Sequence, residues 1–212
     1  MVITLLAYCI VLGQGQTDFP PDGVLGSRLE PVDDSGLIAL CSEMERSSIS
    51  AKNFQRAALE FHRVTQAVFA RRAVVPFRFP TWLSSEEMRA HLSQESLRYK
   101  DFLLNHADNV QMEVRIVSKE TAMQERTTGG EHLRARAAQL RKVDNQANEI
   151  KNLAGDNALE WREQETPDGV RLYALVSRTS IEKFREKLKL ASVPVTGPWP
   201  ATAFFNQLRE KD

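Results

Sequence analysis

The sequence predicts an α+β protein built as two small units, and three observations carry that prediction. Short runs in which apolar residues alternate with polar ones, or follow one another unbroken, take turns with longer runs in which apolar residues recur every three or four positions. Stretches rich in Gly, Pro, Asp and Ser separate them, as turns require. A polar stretch at 118–130, containing Thr127-Thr128-Gly129-Gly130, interrupts the apolar pattern near the middle. The expected division is a ferredoxin-like α+β unit at 1–117, a linker at 118–130, and an α+β unit with a long helix at 131–212.

The elements follow in order. Val2, Ile3, Leu5, Leu6, Tyr8, Ile10 and Val11 form an almost continuous apolar run, which reads as a buried strand. The run has no basic start and no small-residue cleavage site, so it does not read as a leader. A Gly- and Pro-rich loop at 13–26 leads to a short strand at 27–32. Asp33-Asp34-Ser35-Gly36 is turn chemistry, and Leu37 to Cys41 is the next strand.

Phe54, Ala57, Ala58, Phe61, Val64, Val68 and Phe69 give one apolar face to a helix at 51–71. The strand at 73–79 contains Pro76, which cannot donate a ladder bond, so an edge or irregularity is expected there. Strand alternation should set Phe77 and Phe79 on one face and Arg78 on the other. Ser84 with Glu87 has capping-box spacing and opens a second helix that runs to about 106. Val110 to Ile116 alternates strictly and reads as the strand that closes the first unit.

The long helix at 131–153 carries a narrow stripe: Leu133, Leu140 and Ala147 are seven apart, as are Val143 and Ile150. Strands at 158–162 and 170–176 follow, joined through Thr166-Pro167-Asp168-Gly169. Thr179 and Glu182 repeat the capping-box spacing before a short helix with Ile181, Phe184 and Leu188 inward. The stretch 193–200 precedes a last apolar run, Ala203-Phe204-Phe205, and Trp199 between Pro198 and Pro200 reads as a structural corner tucked into the core.

Composition narrows function. Of 212 residues, 42% are hydrophobic and 26% charged, as in ordinary globular proteins. Lys plus Arg equals Asp plus Glu at 28 each, so the basic excess that phosphate binding demands is missing, and nucleic acid is not an expected partner. No segment is long and apolar enough to span a membrane, and a cytoplasmic protein is expected. Cys9 and Cys41 sit in apolar runs and read as reduced, buried thiols.

The residues offer little chemistry. His62, His91, His106 and His132 have no metal-ligand spacing to each other or to a cysteine. The Ser47-Ser48-Ile49-Ser50 run lacks a nucleophile elbow, and Gly129-Gly130 lacks the Lys-Ser/Thr of a phosphate loop. No catalytic residue, cofactor or metal is expected. The stripe Leu133, Leu140, Val143, Ala147 and Ile150 has two readings, a surface helix packed on its own unit or a face that docks a partner. Two alternatives stay open on the residues alone: an enzyme with a hidden site, and a scaffold that self-associates through this helix.

One string is more specific. Val195-Thr196-Gly197-Pro198-Trp199-Pro200, then Ala203-Phe204, resembles the C-terminal signature of gas vesicle proteins F and L (GvpF/GvpL). Three further blocks are similar in type and order: His62-Arg63-Val64 leading to Val74-Val75-Pro76-Phe77-Arg78-Phe79; Gly130-Glu131-His132-Leu133-Arg134; and Val170 to Val176 with Thr179 to Arg185. The opening strand around Ala7-Tyr8-Cys9-Ile10-Val11 fits as well. The resemblance implies a ferredoxin-like N-terminal domain and an α+β C-terminal domain. It implies an accessory protein that binds the gas vesicle shell protein and other accessory proteins, without catalysis or cofactor. Pro76, Arg78, Gly197, Pro198, Trp199 and Pro200 are then structural motif residues.

Overall fold

The computed structural model describes residues 4–13, 19–117, 129–167, 169–190 and 192–209; at 129–137, 139–140 and 206–209 it describes the backbone alone. The chain divides into two compact units, the second starting at Asn109.

In the first unit, β1 (Thr4–Leu12) is central and buried from Thr4 to Val11, which explains its unbroken apolar run. A 3-10 turn at Val24–Gly26 precedes β2 (Leu29–Asp34) and β3 (Leu37–Met44). Ser35 and Gly36 join these two strands with φ of 49° and 71°, the positive pair that a two-residue hairpin needs. Helix α1 (Phe54–Phe69) buries Ala57, Phe61, Val64, Val68 and Phe69. The predicted strand at 73–79 is shorter: β4 (Val75–Pro76) stops at the proline, and β5 (Trp82–Leu83) resumes the pairing with β1. The sheet order is β2-β3-β1-β4, with all pairs antiparallel.

The predicted second helix is two, α2 (Ser85–Gln94) and α3 (Ser96–Asn105). Glu95 breaks the helical path at φ −99° and ψ 10°. The turn around it, Ser93-Gln94-Glu95-Ser96, has no apolar side chain to hold it against the core. The Ser84–Glu87 capping box is formed: Glu87 N–H donates to Ser84 Oγ at 3.1 Å, and Ser84 N–H to Glu87 Oε2 at 2.6 Å.

The second unit holds β6 (Asn109–Val117), α4 (Gly129–Ala154), β7 (Glu160–Thr166), β8 (Gly169–Ser177), α5 (Ile181–Lys189) and β9 (Val195–Trp199). Its antiparallel sheet runs β7-β8-β6-β9. This is the β-α-β-β-α-β order of a ferredoxin-like unit. Two expectations change as a result. The strand expected to close the first unit at 117 is the second unit's interior strand, paired with β8 along its length and with β9 on the other side. The ferredoxin-like order belongs to the second unit, not the first, where the described part of the connection between β1 and β2 is a loop with a 3-10 turn. Alternation marks a strand as half-buried but does not say which sheet buries it. Of the expected linker, Gly129 and Gly130 already belong to α4, and 118–128 lie outside the described residues.

The second core lies between one sheet face and the two helices. Val110, Met112, Val114 and Ile116 of β6 meet Val170, Leu172, Ala174 and Val176 of β8 on that face. Phe184 and Leu188 come from α5. The second predicted capping box is not formed. Thr179 lies inside a 3-10 turn, its Oγ1 is 3.0 Å from Ser177 Oγ, and Glu182 pairs with Arg185.

Candidate functional site: the C-terminal motif and the strand beside it

The segment Val195-Thr196-Gly197-Pro198-Trp199 forms β9, an edge strand against β6. Thr196 pairs with Glu113 and Trp199 with Gln111, with an irregularity between. Gly197 has φ +112°, a region that side chains avoid. A Cβ built there would sit 2.9 Å from the Gln111 carbonyl oxygen and 3.2 Å from Met112 Sδ. Glycine is therefore required twice, by backbone conformation and by the closeness of β6. The Gly197–Pro198 bond is cis.

Two residues that the sequence did not single out hold this segment. Arg185 of α5 donates from Nη2 to the Gly197 carbonyl at 2.7 Å, while Nη1 bonds Glu182 at 2.8 Å. Gln111 is buried, and its Oε1 accepts the Ala203 N–H at 2.8 Å. That bond spans 92 residues, so no local pattern announces it. Pro200, Ala201 and Phe204 are buried after β9. Trp199 is only half-buried and lies on the edge, a correction to the expected core corner. Phe204 takes the buried place instead, with the Arg162 guanidinium 5.2 Å from its ring centre.

The long-helix stripe is partly core. Val143 is 7% exposed, Ala147 3% and Ile150 1%, with α4 packed on β6, β8 and α5. These three are closed to a partner, which corrects the docking reading for that half of the helix. The physical reason is the β-α-β crossover, which lays α4 on its own sheet. The side chains of Leu133 and Leu140 lie outside the described residues.

The first unit's motif residues also serve structure. Pro76 pairs with Cys9, and the Phe77 N–H donates to the Tyr8 carbonyl at 2.9 Å. Phe79 packs on Phe61 and Phe54 of α1, Phe77 lies near His91 of α2, and Arg78 between them is exposed.

Titratable groups bind locally. His91 Nε2 lies 2.7 Å from the Tyr99 hydroxyl, tying α2 to α3, and burial raises that phenol's pKa. Burial pushes the Cys9 and Cys41 thiols up to about 12, so neither presents a thiolate near neutrality. His62 is exposed and His106 lies against Phe102, while the His132 side chain is outside the described residues. Among the described residues no group of three or more His, Cys, Asp and Glu could hold a metal ion. No described helix is long and apolar enough to cross a membrane.

A family profile described as gas vesicle synthesis protein GvpL/GvpF matches residues 4–206. The fold is similar to the crystal structure of gas vesicle protein GvpF from Anabaena sp. PCC7120, with a TM-score of 0.74, 15% identity and 97% of each chain covered. It is similar also to GvpF from Microcystis aeruginosa, with a TM-score of 0.74 and 13% identity, over 96% of this chain and 99% of that one. Among proteins with curated descriptions, none matches.

Proposed function

The chain belongs to the gas vesicle synthesis protein GvpL/GvpF family, and on that premise we propose that it is an accessory protein of gas vesicle formation, acting by binding other proteins and not by catalysis. The observation that carries this reading is the reach of the family match, which takes in both units and the C-terminal motif. The motif's unusual residues support it. Gly197, Arg185 and Gln111 are engaged in holding an edge strand, a structural use of groups that an enzyme would turn toward a substrate.

In this reading the partners are the gas vesicle shell protein and other accessory proteins, met in the cytoplasm and at the forming vesicle. The shell protein is very apolar, and a soluble partner shields such a surface by offering apolar area of its own. Leu133 and Leu140, the other two residues of the stripe, are the proposed contacts. The test is co-expression of the tagged chain with the shell protein, followed by affinity purification. Expected is soluble shell protein that co-purifies, and less of it after Leu133→Glu with Leu140→Glu, at an unchanged melting temperature. Recovery of the chain alone, against the shell protein and each accessory protein in turn, would overturn the reading.

A further inference from the structure

A cavity of about 390 Å³ opens on the second unit's sheet, beside the C-terminal 3-10 helix at Thr202–Arg209. Gln111, Arg162, Gln164, Tyr173, Thr202 and Ala203 line it. Glu163 borders it as well, but its carboxylate pairs with Lys151 of α4. The sheet register explains the grouping. Arg162 of β7 lies directly opposite Tyr173 of β8, while Glu160 of β7 and Gln111 of β6 both lie opposite Leu175. Side chains two apart along a strand share a face, so Gln111, Arg162, Gln164 and Tyr173 stand on one side of the sheet. Thr202 and Ala203, at the start of the 3-10 helix, form the wall above them.

What these side chains leave over is a set of donors. Gln111 is 6% exposed, and its Oε1 accepts the Ala203 N–H, so Nε2 is turned elsewhere. Among the described residues no acceptor meets that Nε2. Gln164 is used in the same way. Its Oε1 accepts the Tyr173 hydroxyl at 2.7 Å, and among the described residues its Nε2 has no acceptor. Arg162 donates from Nε to Glu160 Oε1 at 3.3 Å, and its two terminal nitrogens meet no acceptor among the described residues. The bond that Gln111 makes to the 3-10 helix needs only its oxygen. Buried amide donors are normally bonded, so the nitrogen that remains at the cavity points to a ligand.

We propose that this cavity binds a carboxylate group, held by Gln111 Nε2, Gln164 Nε2 and the terminal nitrogens of Arg162. A guanidinium presents its donors in a plane that matches the two oxygens of a carboxylate. Phe204, with its ring centre 5.2 Å from the Arg162 guanidinium, holds that plane in place. Glu160 sets the charge of the ligand. It offsets part of the Arg162 charge, so the cavity suits a single negative charge better than a phosphate dianion. The carboxylate can end a polypeptide chain or belong to a free organic acid, and the groups that hold it are the same. The inference goes beyond the accessory role proposed above and does not rest on it.

The test is calorimetric titration of the full chain with a short Gly-Ser peptide bearing a free C-terminus, the same peptide amidated, and succinate. Expected is saturable binding of the free peptide or of succinate, and none of the amidated peptide. Binding of the free peptide alone assigns the carboxylate to a chain end. Binding of succinate at equal or greater affinity assigns it to a free acid. Gln111→Glu keeps an acceptor for the Ala203 N–H and replaces the donor with an oxygen, so affinity should fall by on the order of tenfold or more. Arg162→Gln tests the same site without touching that bond, and should weaken binding by on the order of tenfold. Arg78→Gln, at an exposed arginine of the first unit, should leave it unchanged. Wild-type affinity in both the Gln111 and Arg162 variants would overturn the proposal, as would equal binding of the amidated peptide. A lack of saturable binding by either carboxylate would overturn it and leave the cavity to water. Tighter binding of inorganic phosphate would overturn it in favour of phosphate. The calorimetry reads the cavity and the shell-protein purification reads the role, so either can fail while the other holds.

Discussion

The two units order their sheets alike and fill one position differently. Counting strands within each unit, both sheets run second, third, first, fourth, with antiparallel neighbours. In the second unit the connection from first to second strand is α4, which buries Val143, Ala147, Ile150 and Ala154. In the first unit the described part of that connection is a loop with the 3-10 turn Val24–Gly26. Val24 is fully buried, but the turn is held mainly by polar bonds. The Val24 N–H donates to the Tyr8 hydroxyl at 2.8 Å, and the Leu25 N–H to Glu60 Oε2 at 2.7 Å. The same topological position is stabilised by apolar burial in one unit and by hydrogen bonding in the other. Substitutions should therefore fail in different ways and by different amounts.

The largest effect belongs to the apolar solution. Ile150→Asp places a charge where the side chain is 1% exposed, and it should cost roughly 4 kcal/mol or more. Urea denaturation with far-UV circular dichroism checks this. A loss below about 1 kcal/mol would mean that α4 is a surface helix and that the comparison is misdrawn.

The second effect tests the fourth strand. Gly197→Ala asks an L side chain to adopt φ +112° and to sit 2.9 Å from a backbone oxygen, so roughly 3 kcal/mol should be lost. Arg185→Ala, which removes one hydrogen bond to Gly197, should cost less, about 1–2 kcal/mol. The reverse ranking would show that α5, not the closeness of β6, sets the position of the strand.

These positions also show where sequence reading stops. Helices and strands were legible because their periods are local: Ala57, Phe61, Val64 and Val68 announce α1, and the alternation of Val110 to Ile116 announces β6. Which strand β6 pairs with was not legible, since its side chains alternate in the same way in either sheet. Ser84 and Thr179 have the same spacing to a glutamate, yet only Ser84 caps, because its extended backbone lets Glu87 fall at the third helical position. The stripe on α4 was visible, but a stripe records apolar demand and not whether the unit itself or a partner meets it. Within the motif, the need for Gly197 was visible as Gly-Pro-Trp-Pro, whereas Gln111 and Arg185 depend on contacts made only after folding.

A smaller effect probes the polar solution. A Cβ at Gly23 would lie 2.4 Å from Ser42 Oγ, 2.5 Å from the Tyr8 hydroxyl and 2.9 Å from Ser27 Oγ. The serine hydroxyls can rotate away, but the tyrosine oxygen is fixed by its ring, which stacks on Phe61 at 5.0 Å. Gly23→Ala should cost about 2 kcal/mol, and Tyr8→Phe about 1–2 kcal/mol through the stranded Val24 N–H. The double variant should cost less than the sum, because removing the hydroxyl removes the clash. Strict additivity would mean that the loop does not rest on Tyr8.

The smallest effect is the pH dependence of the second anchor. Glu60 accepts Arg56 Nε at 2.8 Å on one oxygen and the Leu25 N–H at 2.7 Å on the other. The bond from Arg56 first, and then that from Leu25, holds its carboxyl below the usual value of 4.5. A pKa lowered by folding adds stability that is present above the unfolded value and is lost as pH falls through the folded one. Glu60→Gln should therefore cost about 1 kcal/mol near neutrality, and its difference from wild type should shrink as pH drops below 4.5. Denaturation midpoints of the two proteins, measured across the acid range, give that difference directly. The contribution from Arg56 is the weaker of the two for stability, because its side chain is 72% exposed and solvent screens the pair. Arg56→Ala should then remove part of the pH-dependent difference and leave the rest in place, since the Leu25 N–H still favours the charged carboxylate. If Arg56→Ala abolishes it, the turn is held by a surface ion pair and not by the backbone bond, and the polar anchoring of this loop reduces to Tyr8 alone.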